Sequence, residues 1–231
     1  MSPPAKNRTA ASVRTREAYQ GIRRLLFHNE IAPGQKISYR DLAERLGMSQ
    51  TPVIQALKWL EFQQLVRHEP NRGYYTEPVS IEEVAEIYEF RELVELSLLA
   101  KTMQRLNADR LHKLESALNT HLKAVADVTI YDRLATDMAF HLTLAELSQC
   151  TIQVRALSNL FDLLYLKYGG RILFSTSMTQ AGADHRALYE RIADGDAKGA
   201  AKLLRTHIRR VKDHVLVGLD RMAQEARVST V

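Results

Sequence analysis

The chain has 231 residues, 45% of them hydrophobic and 26% charged, the profile of a soluble globular protein of one large or two small domains. It has no apolar run long enough for a membrane span, no apolar signal core near its start, and a single cysteine, Cys150. These features exclude an internal disulfide and a cysteine-based zinc finger, and they predict a cytoplasmic protein. The net charge of +5 sits entirely in residues 1–78, which hold 12 Lys/Arg against 7 Asp/Glu; the remainder holds 20 of each. A small anion-binding module attached to a neutral domain is the simplest reading.

Residues 1–11 read as a disordered arm with two prolines. Helical spacing of Ala18, Ile22, Leu25 and Leu26 predicts a first helix from about Val13 to Asn29. Pro33-Gly34 fits the central positions of a type II turn. Ser38 caps a short helix to Leu46, which Gly47 ends. Ser49 caps the next helix, to about Phe62, with Pro52 tolerated in its first turn. Leu65–His68 and Gly73–Thr76 read as strands joined by the turn Glu69-Pro70-Asn71-Arg72. Glu77-Pro78-Val79 reads as a linker. From Ser80 the pattern predicts six helices, over about 80–105, 109–126, 130–147, 151–173, 178–194 and 196–222, with short connections. An antiparallel bundle follows. The fold class is therefore mostly α: a winged helix-turn-helix over 12–78, then an all-helical domain over 79–231.

In a winged helix-turn-helix the second helix of the pair meets base edges in the major groove. Leu42, Ala43, Leu46, Val53, Ala56, Leu57 and Leu60 would lock the pair together. Gln50, Thr51, Ile54, Gln55 and Lys58 lie on the opposite face. Ser49 and Thr51, beside free backbone N–H groups, suit a phosphate. Gln50 and Gln55 suit adenine, and Ile54 a thymine methyl. Arg72 and Gly73 at the hairpin tip would reach the backbone or minor groove. Double-stranded DNA is the implied partner.

Asp137 and His141 share one helix face at i, i+4. With His185 and His207 they come from three helices and offer a carboxylate and three imidazoles. That set suits a divalent ion such as Zn²⁺, Ni²⁺, Mn²⁺ or Fe²⁺. His214, seven residues beyond His207, is a rival ligand. The first bundle helix is rich in glutamate, read mainly as a solvated face. Arg91 either pairs with Glu95 along that face or points inward to clamp a ligand carboxylate. Cys150 reads as a small buried hydrophobe.

Several of these segments resemble the GntR family of bacterial transcription regulators, in its FadR subfamily with the helical FCD effector domain. In the first domain the resemblance lies in Leu42 through Val53, Ala56-Leu57, Leu60-Glu61, Leu65-Val66 and Arg72-Gly73. In the second it lies in Arg91-x-x-x-Glu95, Asp137-x-x-Phe140-His141, Asp184-His185, Gly195-Asp196 and His207. It implies Asp137, His141, His185 and His207 as metal ligands, Arg91 facing a small-carboxylate effector, and Arg40 as an operator contact. It also implies a homodimer on a palindrome, most often a repressor, with six bundle helices as in VanR-type members. Where the family usually carries arginine this chain has Gln50, and Ile54-Gln55 stands for Arg-Glu, so a less G-directed operator is expected. Gln149-Cys150 replaces the usual Gly-Asn. The alternatives are a regulator responding to the metal itself, or a metalloenzyme with a DNA-binding anchor; no acid beside the ligands is evident to act as its general base.

Overall fold

A computed structural model describes residues 5–127, 130–167 and 178–228. These fall into two compact units. The first runs to Val79 and also takes in Asp162 to Lys167; the second holds Ser80–Phe161 and the chain from Met178 onward.

In the first unit α1 spans Ala5–Phe27, α2 Tyr39–Arg45 and α3 Gln50–Phe62. Residues 5–11, expected within a disordered arm, are helical: past Pro4 the run Ala5–Ala11 contains no helix breaker and is rich in good helix formers. Residues 1–4 lie outside the described residues. The strands β1 (Lys36–Ile37), β2 (Val66–Glu69) and β3 (Gly73–Thr76) form an antiparallel sheet in the order β1-β3-β2. Two residues carry no alternation, so β1 left no mark in the sequence. Its position is set by pairing, Lys36 with Tyr75 and Ile37 with Tyr74. The buried Thr76 hydroxyl adds to this by donating to the Ala32 carbonyl at 2.6 Å and accepting from the Gln35 N–H at 2.8 Å.

Helix ends explain the tight turn. Ser38 caps α2, its hydroxyl accepting from the Asp41 N–H at 3.2 Å. Gly47, at φ +62°, closes α2 with bonds from Gly47 N–H to the Glu44 carbonyl and from Met48 N–H to the Ala43 carbonyl. Ser49 occupies the cap position of α3, yet its hydroxyl makes no capping bond. Ala18, Ile22, Leu26, Val53, Ala56, Leu57, Leu60 and Leu65 form a buried core, joined by Leu166. Leu166 lies in a π-helical stretch, Leu163–Lys167, that follows α7 (Thr151–Asp162). The sequence reading gave one helix to residue 173 here; residues beyond 167 lie outside the described residues. Asp162 explains why this stretch joins the first unit, since it takes a two-pronged bond from Arg23 at 2.5 and 2.6 Å. Tyr165 also meets the Phe27 ring edge-on.

The second unit consists, among the described residues, of α4 (Ile81–Gln104), α5 (Ala108–Asp127), α6 (Ile130–Glu146), α7 up to Phe161, α8 (Met178–Ala193) and α9 (Ala197–Val228). Ser80, Asn107 and Asp196 cap α4, α5 and α9 by accepting from N–H groups three residues on. Helix α4 packs on α6 and α9, α5 on α6 and α8, and α8 on α9. The glutamate face of α4 is less solvated than expected. Glu92 takes Arg209 at 2.7 and 2.8 Å and Arg205 at 3.3 Å, and Glu89 takes Lys212, all from α9.

After α6 the chain turns at Gln149, which sits at φ +57°. A side chain in this left-handed region costs about 1–2 kcal/mol, whereas glycine adopts it freely. Gln149→Gly should therefore stabilise the fold by up to about 1 kcal/mol in denaturant titration, after the greater entropy glycine gives the unfolded chain.

Candidate nucleic-acid interface and metal centre

The first candidate site lies on α3 and the wing. Arg40, Ser49, Gln50, Thr51, Gln55, Lys58 and Arg72 are exposed, with Ile54 and Gly73 half-buried. The uncapped Ser49 hydroxyl stands beside the first turn of α3, where Pro52 contributes no N–H. Gln55 also makes a bond within the first unit, its amide oxygen accepting the Thr15 hydroxyl proton at 2.7 Å. That bond ties Gln55 to α1. The apolar Ile54 is also explained. It lines an open groove of about 660 Å³ with Tyr39, Lys58, Phe62, His68 and Tyr74. No motif in the sequence points to Tyr39 or Phe62, although Phe62, 90% exposed, breaks the apolar pattern of α3.

The second candidate site lies inside the helical unit. Asp137 and His141 project from α6, His185 from α8 and His207 from α9. One potential ligand atom from each falls within 4.8 Å of all the others. His141, His185 and His207 are buried and Asp137 is partly buried. Nε2 of His141 and Nε2 of His185 are 3.1 Å apart, and Asp137 Oδ1 is 3.5 Å from His185 Nε2. His214 is exposed on α9, its Nδ1 near the Arg210 carbonyl, and takes no place in this group. Seven residues keep it on the face of His207 but two turns further along the axis.

Around the four residues stands a layer the sequence reading credited only in part. The Nδ1 of His141 meets Glu95 Oε2 at 2.7 Å, and the Nδ1 of His207 meets Asp184 Oδ2 at 2.9 Å. Acids therefore do stand beside the ligand set, contrary to expectation. Each carboxylate accepts from Nδ1–H, which turns Nε2 with its lone pair toward the cluster. Arg91 pairs with Glu95 four residues on, and both are buried. The expected Arg91–Glu95 pair is thus formed inside the unit and not along a solvated face. The Arg91 guanidinium also lies over the Phe161 ring, 4.5 Å from its centre, and Arg210 pairs with Asp184.

Burial opposes ionisation of Glu95, but Arg91 and His141 outweigh it and bring its pKa down to about 2. Burial, with His141 beside it, takes His207 down to about 3. Burial and the neighbouring imidazoles hold His185 well below the usual histidine value. Burial also raises Tyr88 to about 12, so its hydroxyl keeps its proton. His185 and His207 are thus neutral, the form that ligates a metal. One further buried histidine borders the group, His121 on α5, its ring centre 4.7 Å from that of His185. No spacing rule singled it out, because its proximity arises from the packing of α5 on α6 and α8. Cys150 is half-buried and stands apart from the cluster, 3.8 Å from Arg105 Nη1.

A winged helix followed along the chain by a helical bundle with a buried Asp/His₃ cluster defines a transcription regulator with an attached helical domain. The chain belongs to the gntR family of bacterial regulatory proteins, whose DNA-binding region matches residues 14–75, and it carries an FCD domain over residues 86–210. Its relatives bear this out. An HTH-type regulator from the unstable DNA locus of Streptomyces ambofaciens is 28% identical over 87% of this chain and 84% of its own. The HTH-type transcriptional regulator LutR of Bacillus subtilis is 26% identical over 82% of this chain and 95% of its own. Among solved structures, E. coli McbR/YncC shares the fold with a TM-score of 0.78 at 19% identity, covering 90% of this chain and 98% of its own. A GntR regulator from Rhodococcus sp. RHA1 gives 0.74 at 21% identity, over 88% and 98%. The protein is a transcription regulator and not an enzyme. No helix among the described residues is long and apolar enough to cross a membrane.

Proposed function

We propose that the protein is a ligand-responsive repressor that binds a palindromic operator as a homodimer. Its helical domain holds a divalent metal at Asp137, His141, His185 and His207, and the metal takes a small carboxylate effector that Arg91 faces. The observation that carries this reading is the convergence of the four residues, with two imidazoles turned by carboxylates so that Nε2 faces inward. Two nitrogens each about 2.1 Å from one ion lie roughly 3.0–3.4 Å apart, for right-angled or tetrahedral geometry. The 3.1 Å between His141 and His185 fits that span. The ion would supply a fixed positive charge for the effector's carboxylate. Glu95 and Asp184 would hold the ligands in place. An effector alters operator affinity only if it binds the two DNA-binding arrangements unequally.

Selection from randomised DNA by gel shift tests the regulator's operator; a short palindrome is expected, and no enrichment would sink that reading. Operator release by metal alone would replace the carboxylate with the metal as the signal. Within the reading helix, Gln50→Arg should shift preference toward guanine at one position by about 1–3 kcal/mol. Arg72→Ala should instead weaken all sequences alike and reduce the salt dependence. Fluorescence anisotropy on matched operators separates the two outcomes.

A further inference from the structure

Polar atoms buried without a partner require an explanation, since each forfeits its hydration. Three stand around the Asp/His₃ cluster: Tyr88 Oη, His121 Nε2 and His185 Nδ1 make no hydrogen bond among the described residues. Both Tyr88 and His121 lie within electrostatic reach of Asp137.

The tautomer of His121 follows from its neighbours. Its Nδ1 lies 3.3 Å from Thr136 Oγ1. A threonine hydroxyl has one proton, and Thr136 gives it to the Arg133 carbonyl at 2.9 Å. The Thr136 oxygen therefore accepts from His121, and the imidazole proton sits on Nδ1. A neutral His121 then presents a lone pair at Nε2, fully buried, beside a proposed ligand. Tyr88 presents the opposite character, a hydroxyl proton with no acceptor. A plain carboxylate has acceptors for Tyr88 but no donor for His121. A carboxylate carrying a hydroxyl has both.

We infer that His121 is a specificity residue of the effector site, accepting a hydrogen bond from a hydroxyl on the bound acid, so that the effector is a hydroxycarboxylate. The inference rests on the metal-held carboxylate proposed above. His121 is not in the group whose ligand atoms lie within 4.8 Å of one another, which suits a contact to the effector over one to the ion.

Calorimetric titration of the zinc-loaded full chain with matched acids tests it: glycolate against acetate, lactate against propionate, malate against succinate. At least one hydroxylated acid should bind roughly five- to a hundredfold more tightly than its partner, the range expected for a buried group left unpaired. In His121→Phe that preference should collapse to about unity, with zinc content and affinity for the deoxy acid unchanged. His121→Gln, whose amide oxygen also accepts, should restore part of it, and circular dichroism checks that both variants fold. Equal binding of hydroxylated and deoxy acids, or a preference surviving in His121→Phe, overturns the assignment. Loss of zinc from folded His121→Phe overturns it too, by making His121 a ligand. If none of these acids binds the zinc-loaded wild type, the carboxylate reading itself fails.

Discussion

Replacing Glu95 with alanine should lower the unfolding free energy of the helical unit by about 3–5 kcal/mol, the usual loss when one partner of a buried ion pair is removed. Glu95 is 4% exposed and is shared by Arg91 and the Nδ1 of His141. In a domain of this size such a loss lowers the melting temperature by roughly 10 °C. The substitution should also weaken metal binding about 10- to 100-fold, because His141 loses the acceptor that fixes its tautomer and ring orientation. Calorimetric melting followed by metal titration measures both effects. Glu95→Gln serves as the control. Its amide oxygen can still accept from Nδ1–H, so it should retain more of the ring's orientation than alanine does. A melting temperature within 1–2 °C of wild type for Glu95→Ala would contradict the buried pairing.

Metal removal should have an effect of similar size. An ion present at about a thousand times its dissociation constant stabilises the folded state by about 4 kcal/mol. Chelation should then lower the melting temperature of the helical unit by roughly 10 °C, with little change in the winged-helix unit. His141→Ala should abolish metal content by elemental analysis and make the protein insensitive to chelator. His214→Ala should change neither, since that side chain stands exposed away from the cluster. Full metal content in His141→Ala would place the ion elsewhere.

The winged helix was legible in the sequence because its signals are local. Ser38, Gly47, Pro52 and the apolar spacing of α2 and α3 each act within a few residues of chain. Strand β1 was not legible, since two residues at Lys36–Ile37 form a strand only through pairing with β3. The start of helix α1 was not legible either, since residues 5–11, just past Pro3 and Pro4, carry no apolar spacing. Periodicity alone continues the bundle helix through Asp162–Lys167. Arg23 and the apolar core that includes Leu166 draw it into the first unit instead, and no rule of spacing carries that choice.

At the candidate metal centre, residue types were readable and their partners were not. Asp137 and His141 share a face by helical period, so their proximity is a property of the sequence. The choice of His207 over His214 depended on where along α9 the helix crosses its neighbours. The bond that Gln55 accepts from Thr15, forty residues away, likewise has no local signal in the sequence.

By itself the sequence determined the order of the helices, the excess of positive charge in residues 1–78, and the inventory of histidines and carboxylates. Period, caps and charge act along the chain. Only the tertiary structure decided that Glu95 and Asp184 orient two of the histidines and that His121 borders the cluster with its proton on Nδ1. Those facts depend on contacts between residues 15 to 46 positions apart, whose meeting is set by how amphipathic faces pack and not by any spacing along one helix.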